Sequence, residues 1–132
     1  MNKTFEPKEE FVVGKHSIGW LNERFTNYLD EVDKKVSSHV MPTFQKLPRD
    51  MNDATIESEL KPGLCELGDV LAFLDNAPDE CKDGYANLFY TPAFVVSVRW
   101  GSFIGRWRVG TWERGGDEWR AGPRVFSPAA DL

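Results

Sequence analysis

The sequence predicts an α+β fold, with N-terminal helices packed on a C-terminal antiparallel meander of at least three strands. Three observations carry this. Apolar residues across 18–40 recur at helical spacing. From Thr91 onward the period falls to two. Glycine-rich turns punctuate the alternating runs, as hairpin connections require. Helical patterns first and strand patterns afterwards, rather than interleaved, is the order of an α+β protein.

The 132 residues fit a single domain over 1–132, with 1–9 expected to fray. A hydrophobic share of 41% beside 28% charged residues is ordinary globular usage, which excludes a mostly disordered, collagen-like or coiled-coil chain. The longest apolar run, 93–96, is far short of the roughly 20 residues that a membrane span needs. Residues 1–10 are charged and lack the apolar core of a secretory signal. A cytoplasmic location and no membrane contact are therefore expected.

Residues 11–13 read as a short strand ended by Gly14. Ile18, Leu21, Phe25, Leu29, Val32, Val36 and Val40 then form one stripe of an amphipathic helix over 18–40. Ser17 is placed to cap it and Pro42 to stop it. The charged Glu23, Asp30, Glu31, Asp33, Lys34 and Lys35 lie off the stripe. Such a helix is about 35 Å long. That exceeds what one small core requires, so either it lies across a sheet or its far end meets a second copy in a homodimer.

A loop is predicted over 42–53 and a short helix over 54–60, capped by Asn52 or Asp53 and ended by Lys61, Pro62 and Gly63. Leu64, Leu67, Val70, Leu71 and Leu74 repeat at helical spacing and predict a further helix over 66–75. The stretch 79–90 stays open: Tyr85, Leu88 and Phe89 make one helical face, and Gly84 argues against it.

Phe94, Val96, Val98 and Trp100 alternate with Val95, Ser97 and Arg99. Gly101 and Ser102 read as a two-residue hairpin turn, placing Trp100 opposite Phe103 and Val96 opposite Trp107. The second strand runs over 103–112. Gly115, Gly116 and Asp117 form the next turn, and a third strand follows over 118–126. Pro123 cannot donate a ladder hydrogen bond, which puts that strand at an edge. A one-residue slip at the second turn flips every side chain. The three-residue loop separates apolar from charged groups. It gathers Phe103, Trp107, Val109, Trp119, Ala121 and Val125 under the helices and turns Arg106, Arg108, Trp112, Arg120 and Arg124 outward.

Charge supports the same division. Residues 1–93 carry a net −7, and residues 94–132 a net +2 with arginine as their only cation. Arginine suits bidentate carboxylate contacts and stacking on aromatic planes. The predicted function is a non-enzymatic binding module whose Arg/Trp face contacts an acidic protein partner. The competing structural account pairs these arginines with the chain's own surplus carboxylates. A second functional account is a small-molecule pocket or enzyme site lined by Tyr85, Tyr90, Trp100 and Trp107, with Asp83 or His16 as acid or base. A third is single-stranded nucleic acid, which the negative total charge and the lysine-free C-terminal part disfavour.

No metal or cofactor motif is present in the sequence. His16 and His39 fall about 34 Å apart on the predicted helix and so share neither a metal nor a dyad. Cys65 and Cys81 read as reduced thiols. Asp69, Asp75, Asp79, Glu80 and Asp83 read as a solvated acidic face. Gly101, Gly105 and Gly110 read as turn and packing positions.

Overall fold

The computed structural model describes residues 3–30, 35–37, 41–92, 94–115 and 118–129. The period-two run is a strand where the sequence places it. β7 (Val95–Gly101) pairs with β8 (Arg106–Trp112), setting Trp100 opposite Trp107 and Val98 opposite Val109. The connection is a four-residue loop, 102–105, rather than a Gly101–Ser102 turn. Gly105 ends it at φ +65°, a conformation that glycine adopts without penalty. Phe103 therefore sits at the loop tip, fully exposed, instead of in the core.

The meander extends backwards in sequence, not forwards. β6 (Asn87–Tyr90) pairs antiparallel with β7, with all four of its residues buried. A strand covered on both faces has no alternation to read, which is why 79–90 resisted assignment. The predicted third strand splits in two. β9 (Glu118–Trp119) forms a small antiparallel ribbon with β5 (Met51–Asn52), while β10 (Arg124–Ser127) lies parallel to β6. β10 is interior: β4 (Thr43–Lys46), from the predicted loop, covers its other side. Pro123 precedes that strand and does not mark an edge. Gly116 and Asp117 of the predicted turn lie outside the described residues.

The predicted helix over 18–40 is not formed. Its first residues are β2 (Ile18–Leu21), parallel to β8, and a short helix α2 (Glu23–Leu29) follows. Asn22 caps α2 by accepting the Phe25 N–H at 2.8 Å. A register shift between Ile18 and Trp20 lets Ile18 and Leu21, three apart, both face the core, so a bulged strand imitates helical spacing. Gly19 sits in that bulge, and a Cβ there would come within 2.8 Å of the Arg106 Cβ. Beyond α2, β3 (Lys35–Ser37) pairs with β1 (Lys3–Phe5), and α1 (Pro7–Glu10) follows β1, so the segment expected to fray is partly ordered structure. Residues 11–13 form bends and turns instead of a strand. Val32, His39 and Val40 lie outside the described residues. The long helix that motivated a homodimer is absent as such.

The fold class is α+β, with a mostly antiparallel six-stranded sheet ordered β2-β8-β7-β6-β10-β4. One face packs under α2 and α4 (Leu67–Asn76), the helix predicted over 66–75. Phe73 of α4 contacts the rings of Phe89, Trp107 and Phe126 there. The opposite face is only half covered. Leu47, Met51 and Ile56 close over Leu88, Tyr90, Val95 and Val125. Ile56 belongs to the short helix α3 (Asp53–Thr55) as it continues into a π-helical turn, Ile56–Leu60. The same face of β2, β8 and the distal part of β7 is left to solvent.

Candidate functional site

The uncovered half-face holds a groove of about 280 Å³. Its construction follows from strand register. On that face Arg99 lies opposite Arg108, Ser97 opposite Gly110, and Val95 opposite Trp112. Two guanidinium groups therefore stand at one end, two small residues form the floor, and an indole closes the other end. Trp20 flanks the cationic end from β2, where it pairs with Arg108. Trp119 adds a further wall from β9. Trp20 and Trp112 remain 43% and 46% exposed, which is high for indoles of a folded chain.

The electrostatics are unusual for an acidic protein. Like charges directly opposite on neighbouring strands are destabilising. Even so, among the described residues no carboxylate lies within ion-pair distance of Arg99, Arg106, Arg108 or Arg120. The remaining arginines are all engaged: Arg24 with Glu113, Arg49 with Glu59, Arg114 with Glu57, and Arg124 with Asp83. Arg108 instead lies over the Trp20 ring, 4.8 Å from its centroid.

The Trp119 wall is held by a buried carboxylate. Asp53 accepts hydrogen bonds from the Tyr90 hydroxyl at 2.5 Å, the Trp119 indole N–H at 2.9 Å and the Gly115 N–H at 2.5 Å. Burial, with the Asp53 charge beside it, pushes the Tyr90 hydroxyl far above its ordinary value. It therefore remains a donor at any physiological pH.

Of the residues that the sequence grouped as a binding face, Arg106, Arg108 and Trp112 share the open half-face. Arg120 is exposed in the segment after β9. Arg124 is elsewhere. It is 3% exposed on the helix-covered side, where it donates to both Asp83 carboxylate oxygens and to the Glu80 carbonyl. The cause is strand exchange: β10 pairs with β6, not with β8, so the guanidinium meets Asp83 and Asn87.

The expected aromatic pocket is not assembled. Trp107 is core, Tyr90 is buried on the opposite sheet face, Tyr85 is 48% exposed beside Gly122, and Trp100 stacks edge-on against Trp107. The acidic stretch is not simply solvated either. Asp69 takes part in the N-terminal capping box of α4, Asp75 contacts His16, and Asp83 holds Arg124. Cys65 and Cys81 are buried free thiols whose ionisation is suppressed first by that burial.

Sequence reasoning missed Trp20, Trp119, Ser97 and Arg99 as groove residues. Asn22 followed by Glu23 is an N-cap signal, and it would have started the helix after Trp20. Among the described residues, no group of three or more His, Cys, Asp or Glu side chains is placed to hold a metal ion. No helix of the described residues is long and apolar enough to cross a membrane. The chain matches no protein-family model, no curated protein and no solved structure.

Proposed function

We propose that this chain is a non-enzymatic binding module that takes an acidic protein partner on the open half-face of its sheet. One observation carries the reading. Arg99 and Arg108 face each other in a tryptophan-walled groove without a carboxylate among the described residues, while Arg24, Arg49, Arg114 and Arg124 each have one. Tryptophan and arginine are the residue types that dominate the energetic centres of protein interfaces. Among the described residues, four of the seven large exposed hydrophobic side chains, Trp20, Phe103, Ile104 and Trp112, belong to β2, β8 or the β7–β8 loop. A patch of that kind on a soluble domain marks an interaction surface. The reading carries with it a cytoplasmic location.

The test is a titration of tryptophan emission with Glu-rich peptides that contain one Phe, alongside oligothymidylate and a Lys-rich control. Acidic peptides should shift the emission and lose most of their affinity against Arg108→Ala, with circular dichroism unchanged. Saturation by oligothymidylate in preference to the acidic peptides would replace this reading with single-stranded nucleic acid binding, which steep salt dependence would corroborate. No response to any acidic peptide would reject it.

A further inference from the structure

We infer that the segment gripped by the groove is an extended chain with an acidic and an aromatic side chain four residues apart and a small residue midway; this deepens, and rests on, the acidic-partner reading. The groove has two unlike ends. Its cationic end is the Arg99–Arg108 pair, its floor the Ser97–Gly110 pair, and its aromatic end Trp112 with Trp119. Arg108 and Trp112 are four residues apart on one strand, about 13 Å at a rise of roughly 3.3 Å per residue.

A peptide laid along these strands in extended form has the same rise, so its own side chains at alternate positions meet this spacing in phase. The first points at the guanidinium pair, the third at the floor, and the fifth at the indoles. An odd spacing turns one of the two anchors away from the sheet. A carboxylate shared by Arg99 and Arg108 converts their mutual repulsion into charge-assisted hydrogen bonds. Arg108 lies over the Trp20 ring, a contact with the aromatic face that leaves guanidinium N–H groups for that carboxylate. Trp112 and Trp119 offer faces and edges to an aromatic ring. Over the floor, Ser97 is buried, and the Asn22 amide stands 2.8 Å from where a Cβ on Gly110 would lie, so a small residue suits the midpoint better than a bulky one.

The experiment uses the full chain and short labelled peptides in a Gly/Ser background, with Glu and Phe at positions i and i+4 in both orders, or at i and i+3 or i and i+5. Fluorescence anisotropy should give at least about tenfold tighter binding for one order of the i, i+4 pair than for either odd spacing. Val at the midpoint should cost about tenfold, and Ser97→Leu should weaken the i, i+4 peptide while circular dichroism stays unchanged. Equal affinity at all spacings overturns this inference and leaves the acidic-partner reading standing. Absence of binding by every acidic peptide overturns both.

Discussion

Asp53 shows how much of the groove depends on a residue outside it. Its carboxylate faces three donors and is 3% exposed. Asp53→Asn replaces one acceptor oxygen by an amide that faces donors, leaving at least one of them unpaired. A loss of about 1–3 kcal/mol in urea unfolding is expected. A red shift in tryptophan emission as Trp119 loosens should accompany it; unaltered stability would contradict this account. His16 gives a pH prediction. Burial disfavours its charge, but hydrogen bonds to Asp75 at 2.6 Å and Glu10 at 2.9 Å, together with their charges, outweigh that and raise its pKa above 6.5. A raised folded pKa contributes stability that is complete below pH 6.5 and lost as pH rises through the folded value. The unfolding midpoint should therefore fall from pH 6 towards mildly alkaline pH, and His16→Asn should flatten that slope. Asparagine is the choice because His16 sits at φ +53°, which asparagine tolerates. Asp83 is held low first by its hydrogen bonds to Arg124. Its contribution is present above pH 3.8 and disappears as acid protonates it through its depressed value. Asp83→Ala should cost about 3 kcal/mol by leaving a buried guanidinium without its carboxylate.

At the scale of elements, the β7–β8 hairpin was the most legible part of the chain and α2 the least. The predicted register set Trp100 opposite Phe103, whereas it lies opposite Trp107. That slide is even, so it moved partners without exchanging faces. Arg106, Arg108 and Trp112 accordingly lie on the side that the alternation assigns to them. The four-residue loop depends on Gly105 at φ +65°, and Gly105→Ala should destabilise the chain by roughly 1 kcal/mol in thermal unfolding. A neutral result would mean that the loop relaxes to another turn. In 18–29, local spacing misled for a physical reason. The bulge in β2 gives a strand an odd step between core residues, and Phe25 and Leu29 of α2 continue the count. The period cannot tell a helix from a bulged strand followed by a helix; the Asn22 cap can.

For the whole molecule, the distribution of partners matters more than the net charge. An acidic chain has carboxylates to spare, yet Arg99 and Arg108 stand opposed with none among the described residues beside them. That arrangement costs stability that another residue would recover. Arg99→Glu should place a carboxylate across from Arg108 and raise stability by about 0.2–1 kcal/mol. It should also abolish binding of acidic peptides. If the substitution destabilises the fold, the arginine pair is structural and the binding reading loses its support. The same comparison separates Arg124, where truncation damages the fold, from Arg108, where it damages binding.

Local sequence by itself determined the two-faced alternation of β7 and β8, the helix over 67–76 and the cationic, tryptophan-rich character of residues 94–132. Each of these rests on a period or composition that neighbouring residues carry. Tertiary structure alone decided that β2 brings Trp20 beside Arg108, that β10 withdraws Arg124 into a buried pair, and that Asp53 holds Trp119 at the groove. Those contacts join residues 41 to 88 positions apart. Pairing at that distance is selected by complementary burial and hydrogen bonding across the finished sheet, which no local period encodes.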